Sequence, residues 1–434
     1  MDRSTQYKIF NDPVHGFITI PKGLMIRLID HPYFQRLRRI RQLGLAYLVF
    51  PAAEHSRFSH AVGAMELGQR VIKNLREKNT TISDKEAEGT MIALLLHDIG
   101  HGPLSHTLEH VLVQDFHHEM MTLKVMKSLN EEFMGDLDVA LAIFENRHPK
   151  KFLHQLVSSQ LDLDRLDYLK RDSFFTGVSE GAVGINRILK TMRVFNGNVV
   201  IERKGIYAVE NYILARRLMY MQVYLHKTVL AADALVGAIF RRVKWVLEQG
   251  VTAGEAAGDA GEAGDAGRNS IVPMPSYPLS RLLTGSFSAK RGISNELMEL
   301  YLQLDDHDVF LSLKQWANAK DPVLADLCRR FLNRSMFRTT FVTPGEMDEK
   351  RKEFEKQTRR YLQQRGMPDD EAALSCYLHA DRSYSEAYKY RQEQLWILDN
   401  GTAVEFSKAV DAQHIMALSK PVIKPYLVHL KEID

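Results

Sequence analysis

Apolar residues recur at i, i+3, i+4 and i+7 along most of this chain, the spacing that lines one face of an α-helix, and this leaves little of it for sheet. The stretches LMIRLIDHPYFQRLRRIRQL, AVGAMELGQRVIKNLREK and NYILARRLMYMQVYLHKTVLAADALVGAIFRRVKWVLEQ all carry the pattern. Strand signals are short. FITI near the start reads as one strand, NVVIERKGIYAV as a hairpin, and LWILDNGTAVEF as another, turning on Asn400-Gly401. The expected fold is mainly α with short β-hairpins.

At 434 residues the chain is too long for one simple core. EQGVTAGEAAGDAGEAGDAG, from Glu248 to Gly267, holds almost no large apolar residue and reads as a loop or linker. We expect residues 1–247 to form a helical domain that carries the chemistry, 248–270 a flexible Gly/Ala/acid-rich linker, and 271–434 an α+β accessory or oligomerisation region. A net charge of +3 gives no bulk attraction to nucleic acid, and RLRRIR, from Arg36 to Arg41, reads first as a solvated helix face. The two cysteines, Cys328 and Cys376, form no CxxC, which excludes a disulfide framework and a cysteine-rich zinc module. With neither an apolar leader nor a run of about 18 apolar residues, a cytoplasmic, non-membrane protein is expected.

One apolar ramp ends unlike a core segment. Met91 to Leu96 reads as a buried helix, and His97, Asp98, His101, His106 and His110 follow it at once. His97 and Asp98 lie about 100° apart on a helix and can reach one point beside its end. Gly100, Gly102 and Pro103 argue that the helix breaks there, letting a cation or phosphate approach the backbone. Upstream, HSRFSHAVG supplies Arg57 and His60; downstream, LDLDRLDYLKRD supplies Asp162, Asp164, Arg165, Asp167, Tyr168 and Asp172. A lone histidine is usually a hydrogen-bonded core or surface residue, and DLDRLD alone is usually a solvated face. Together the three segments offer a mixed nitrogen and oxygen shell for one divalent ion, with positions left open for water.

In this order the motifs resemble those of the HD-domain metal-dependent phosphohydrolases. The similarity is greatest to the HD domain of sterile-alpha-motif and HD-containing dNTP triphosphohydrolases and their bacterial relatives. The residues that carry it are KIFNDPVHGFI, FQRLRRIRQLG, VFPAAEHSRFSHAVG, HDIGHGPLSH, HHE, LDLDRLDYLKRD and VYLHK, with weaker echoes at LDDHDVF and RSMFR. Cyclic-dinucleotide phosphodiesterases typically read HDxGK, and stringent-response hydrolases HDxxED. Whatever a sterile-alpha-motif module does is not carried over.

The resemblance implies an HD-domain helical core and one divalent metal ion per active site (Mn, Fe, Ni, Mg or Zn), held by His60, His97, Asp98 and Asp164. It implies catalytic roles for His101, His106 and His118 at the scissile phosphate, His118 being the general acid, with Glu109 and Glu119 orienting histidines. Glu109 stands where the family has aspartate, and Arg165 where it has lysine. Arg57, Arg165 and Arg216 match phosphate-holding positions, and Lys227 lies in a motif stretch. Tyr168 and Asp172 match contacts to a sugar 3′-hydroxyl, and Gln42 and Leu43 match the loop that packs against deoxyribose. Lys8, Asn11, Asp30, Gln35 and Arg38 coincide with a guanine-nucleotide activator site between subunits. Val49, Phe50, His226, Arg334 and Arg338 resemble its neighbouring activator site. The implied activity is hydrolysis of a dNTP to deoxynucleoside and tripolyphosphate by a homodimer or homotetramer, with an activator nucleotide. Two alternatives stay open: hydrolysis of another phosphoester such as a nucleoside monophosphate, and a nucleotide-sensing or nucleic-acid-binding protein whose HD site is structural.

Overall fold

In the computed structural model of this protein, residues 7–255, 272, 276–385, 394–409 and 421–433 are described. The centre is three helices. Arg57–Glu77 starts on Ser56, whose hydroxyl accepts from Ser59 N–H; Asp84–Leu96 starts on a Ser83/Glu86 capping box; Leu163–Thr176 starts on Asp162, which accepts from Arg165 N–H. The first packs between the other two. Close approach is possible because Gly63 faces the third helix: a Cβ there would lie 2.1 Å from Asp167 Oδ1 and 2.3 Å from Arg171 Nη2. The ramp is core on every side, since Ile92 to Leu96 are each at most 1% exposed.

Among the described residues, three small sheets flank the helices. Tyr7–Asp12 pairs antiparallel with Gly16–Pro21, and Arg338–Phe341, Val422–His429 and His379–Ser385 form an antiparallel sheet in that spatial order. The remaining sheet runs Met192–Phe195, Asn198–Glu202, Trp396–Asp399, Thr402–Glu405, with its central pair parallel. The hairpin expected at Asn400-Gly401 forms, with φ of 47° and 80° at the two turn residues. The one expected across NVVIERKGIYAV does not. Asn198–Glu202 is instead the second strand of a hairpin turning on Asn196-Gly197, φ 49° and 77°, and Ile206 opens a helix. The same Asn-Gly signal marks both turns.

Two long helical patterns are interrupted. LMIRLIDHPYFQRLRRIRQL breaks before Pro32 into Leu24–Asp30, Pro32–Gln35 and a 3₁₀ turn at Arg36–Arg39. The stretch from Asn211 to Gln249 splits into Ile206–Met219, a π-turn at Tyr220–Tyr224, and Lys227–Glu255. This last helix runs through Glu255, past the expected start of the linker at 248; residues 256–271 lie outside the described residues. Among the described residues no single helix is long and apolar enough to cross a membrane; one pair bent by 54° at that π-turn passes by length and composition only.

The C-terminal region shares one continuous apolar core with the helices before it. It also holds the HDIGHGPLSH loop by polar contacts. The Arg36 guanidinium, 1% exposed, donates to the carbonyls of Leu304, Ile99 and His101 at 2.9, 3.0 and 2.7 Å. Asp306 accepts from the N–H of Leu104 at 2.9 Å and of Arg41 at 3.0 Å.

Candidate active site

His60 lies in the first turn of its helix, His97 directly after Leu96, and Asp164 in the first turn of the third helix. Three helix ends thereby meet at one point. His60 Nε2 is 3.2 Å from His97 Nε2, 3.1 Å from Asp164 Oδ1 and 3.7 Å from Asp98 Oδ2. His97 Nε2 is 3.4 Å from both Asp98 Oδ1 and Asp164 Oδ1. The other ring nitrogens point away from the centre: His60 Nδ1 is 2.8 Å from Asp167 Oδ2, and His97 Nδ1 is 2.6 Å from the Leu94 carbonyl. Those bonds fix the tautomers and leave both Nε2 lone pairs facing Asp98 and Asp164, the arrangement a metal-binding histidine needs.

Charge agrees with geometry. Burial pulls His60 down, but hydrogen bonds to Asp164 and Asp167 and the nearby carboxylate charges raise it to about 10. His97 too is raised, Asp98 and Asp164 outweighing its burial. The carboxylates favour positive charge at the cluster's centre, and two imidazole nitrogens with two carboxylates suit one divalent cation.

A second cluster adjoins the first. The rings of His101 and His118 stack at 3.8 Å, with His106 edge-on to each at 5.2 and 5.3 Å. Glu109 is their clamp. Its Oε2 is 2.9 Å from His106 Nδ1, and its Oε1 accepts from the His118 N–H at 2.7 Å and lies 3.0 Å from His118 Nδ1. Against the pull of burial, these bonds hold Glu109 well below the usual carboxylate range. The glutamate side chain therefore serves two histidines. Glu119, expected to share that task, is exposed and hydrogen-bonds no histidine among the described residues. His101 Nε2 is 3.3 Å from Asp98 Oδ1; burial, reinforced by Arg57, pushes its pKa well below the usual imidazole value and keeps it neutral.

The loop between the clusters is strained. Leu104 and Ser105 both have φ of 52°, a region L-residues rarely adopt. Ser105 is thereby turned so that its hydroxyl accepts from Arg57 Nε and Nη2 at 2.9 and 2.8 Å, while Arg57 Nη1 donates to Asp98. Gly100 has no room for a side chain, since a Cβ would lie 2.3 Å from both the His118 carbonyl oxygen and the Thr122 nitrogen. Gly100→Ala is expected to cost about 1–3 kcal/mol by overpacking, read from the denaturation midpoint, and to lower activity by displacing His118 from His101.

Both clusters open on a cavity of about 430 Å³. Of the residues expected at the site, Gln42, Leu43, Arg57, Asp98, His101, His106, His118, Asp164, Tyr168 and Asp172 line it. His60, His97, Glu109, Glu119, Arg165 and Arg216 do not. Arg165 is drawn back to Asp162 and the Ser159 carbonyl, and Arg216 is buried at 5% exposure beside Tyr220. Sequence reasoning missed the residues around Asp172: His55 Nε2 is 2.7 Å from its Oδ1, and the Tyr224 hydroxyl donates to its Oδ2. Both lie in stretches already marked, EHSRF and VYLHK, but nothing in their spacing distinguishes them.

Asp233 was missed as well. It lines the cavity from the helix Lys227–Glu255 and accepts from the Thr107 hydroxyl at 2.7 Å. Burial raises its pKa to about 6, above the roughly 3.9 of a free aspartate. The folded state thus holds this proton more tightly, and stability is fullest at low pH and lost as pH rises through 6. Asp233→Asn should melt above wild type at pH 8, with the advantage vanishing toward pH 4. A pH-independent difference would contradict this.

The residues expected to hold activator nucleotides lie elsewhere. Lys8 pairs with Asp30 at 3.2 Å, Arg38 Nε donates to Gln35 at 2.9 Å, and Asn11 is exposed on the N-terminal hairpin. The rings of Phe50 and His226 are 6.1 Å apart, and Arg334 Nη2 donates to the Leu48 carbonyl, next to Val49, at 3.0 Å. Arg334 and Arg338 line a separate cavity of about 740 Å³ together with Lys227 and Lys431.

Residues 57–172 match the family model for the HD domain, and residues 183–256 match that for an HD-associated region. The chain is 35% identical to an uncharacterized protein of Bacillus subtilis, YwfO, over 79% of its own length and 74% of that protein's. It is 31% identical to the deoxynucleoside triphosphate triphosphohydrolase SAMHD1 homolog of Dictyostelium discoideum, over 55% of its length and only 51% of that protein's. A crystal structure of a phosphohydrolase from Bacteroides thetaiotaomicron superimposes with a TM-score of 0.85, at 39% identity, over 98% of this chain and 99% of that one.

Proposed function

The chain belongs to the HD-domain phosphohydrolase family, and from that premise we propose that it hydrolyses deoxynucleoside triphosphates to deoxynucleoside and tripolyphosphate. The observation that carries this reading is the shared cavity. One space is faced by Asp98 and Asp164 of the donor cluster, by His101, His106 and His118, by Arg57, and by the Tyr168 and Asp172 pair. Its volume of about 430 Å³ falls in the range that encloses a small organic ligand. The likeness to relatives named as dNTP triphosphohydrolases supports it over about half of their length.

His60, His97, Asp98 and Asp164 would hold the metal. A bound divalent ion supplies Lewis-acid polarisation of a phosphoryl oxygen and a water acidic enough to attack at neutral pH. Arg57 balances phosphate charge at the cavity wall. His118, oriented by Glu109, delivers a proton to the leaving 5′-oxygen, and neutral His101 beside it accepts hydrogen bonds without adding repulsion at the metal. Tyr168 and Asp172 hydrogen-bond a 3′-hydroxyl, and Leu43 packs against the deoxyribose.

The wider cavity lined by Lys227, Arg334, Arg338 and Lys431 suits a regulatory nucleotide's phosphates, with assembly into a dimer or tetramer as the consequence. Incubation with each dNTP and GTP, with Mn²⁺ or Mg²⁺ and with or without a second nucleotide, tests both parts. Deoxynucleoside plus tripolyphosphate, absent from a His97→Ala/Asp98→Ala variant, is expected. Turnover of a monophosphate but of no triphosphate would favour the other phosphohydrolase reading.

A further inference from the structure

The N-terminal hairpin reaches the donor cluster through Asp167, one turn on from Asp164 in the same motif. Its strands Tyr7–Asp12 and Gly16–Pro21 are joined through Pro13, Val14 and His15, and Asp12 closes the turn by accepting from the N–H of Val14 and His15, both at 2.9 Å. The turn is wedged against the third helix. The His15 side chain is 0% exposed, with Nε2 2.6 Å from Asp167 Oδ1, and Asp167 is itself 0% exposed. Asp167 Oδ2 in turn meets His60 Nδ1 at 2.8 Å.

Arg171, one turn further on, ties the arrangement together. It donates Nε to Asp167 Oδ2 at 2.9 Å, Nη2 to Asp167 Oδ1 at 3.0 Å, and Nη1 to Asp12 Oδ2 at 2.7 Å. The two ends of the hairpin turn therefore hold the same carboxylate, His15 directly and Asp12 through Arg171. The missing side chain of Gly63 makes room for both partners.

We propose that His15 is a positioning residue for the metal ligand His60, acting through Asp167, so that the N-terminal hairpin is a working part of the metal site. The proposal rests on the reading of His60 as a ligand. Asp167 sets the His60 tautomer and ring angle, and the carboxylate's own orientation is set by its four bonds. Groups that orient a ligand in this way commonly change metal affinity 10–100-fold when removed. Packing alone is a poor account of His15. Its Nδ1 is buried with no hydrogen-bond partner among the described residues, a cost an apolar side chain of similar size would avoid. What a histidine offers here is the Nε2–H aimed at Asp167.

Equilibrium binding of Mn²⁺ to the full-length protein, stripped of metal beforehand, tests this apart from activity. His15→Ala should bind Mn²⁺ about 10–100-fold more weakly than wild type. His15→Gln, whose amide can reach Asp167 Oδ1, should recover most of the loss. Asp12→Asn, which keeps the turn's acceptor but weakens the Arg171 clamp, should fall between. Wild-type affinity in His15→Ala, or a loss that His15→Gln shares in full, overturns the proposal. If His15→Ala does not fold, Asp12→Asn decides: several-fold weaker binding supports the coupling and unchanged binding overturns it. A wild-type protein that takes up no divalent cation overturns the metal reading itself, and this proposal with it.

Discussion

Asp164→Ala is expected to strip the protein of its divalent metal and abolish turnover, with kcat/KM falling by at least about 10³-fold. Asp164 lies 3.1 Å from His60 Nε2, nearer than Asp98 at 3.7 Å, and 3.4 Å from His97 Nε2, level with Asp98. It is held well below the usual carboxylate range because, against its burial, His97 and His60 favour its charge. Removal leaves two imidazoles and Asp98, and Asp98 is already shared with Arg57. Lewis-acid stabilisation amounts to several kcal/mol of the barrier, and each 1.36 kcal/mol is tenfold in rate, so a loss of about 10³ is the low end. Metal content per chain, by plasma mass spectrometry after dialysis, and steady-state rates should fall together. Full metal occupancy in the variant would remove Asp164 from the ligand set.

Glu109→Gln should leave the metal in place and lower kcat by about 10²–10⁴-fold, the range assigned to a positioned acid–base group. Glu109 accepts at both oxygens, which places the proton of His106 and of His118 on Nδ1 and leaves each Nε2 free to exchange protons in the cavity. Glutamine has the same shape but only one acceptor. Its NH₂ must face one of the two Nδ1 atoms and force that ring into the other tautomer. KM should change little, because Arg57, Tyr168 and Asp172, proposed to contact the substrate, are untouched. Stability should change with a definite sign in acid. The folded pKa of Glu109 lies below the roughly 4.3 of a free glutamate, so its contribution is complete above that pH and lost as pH falls. The variant should therefore show a shallower acid limb than wild type. A kcat within about threefold of wild type would exclude the tautomer argument.

Much of the site was legible because its residues cluster locally. Helix ends carry unusual chemistry in short motifs, and a motif is a one-dimensional object: HDIGHGPLSH, HSRFSH and LDLDRLDY each bring two or more donors within a turn of one another. Arg165 and Arg216 were harder to place. Both sit in motif stretches, yet where a long side chain points depends on its neighbours, and Asp162 and the Ser159 carbonyl draw Arg165 aside. Asp233 could not be found at all. A single aspartate on an amphipathic helix looks like any solvated one until Thr107 and the cavity wall are known to face it.

The same division holds for the fold. Helical periodicity and the Asn400-Gly401 turn act within a few residues, so the sequence alone determined the mainly α architecture and that hairpin. Tertiary structure alone decided that the stretch from Asn211 to Gln249 bends at Tyr220–Tyr224, since the apolar pattern continues through the break. It also decided that Leu304 and Asp306, from the C-terminal region, hold the HDIGHGPLSH loop, and that His15 reaches Asp167 across 152 positions of chain. Each of those contacts buries a charged or polar group beside one specific partner. Their energy depends on desolvation and distance, which only the packed chain sets.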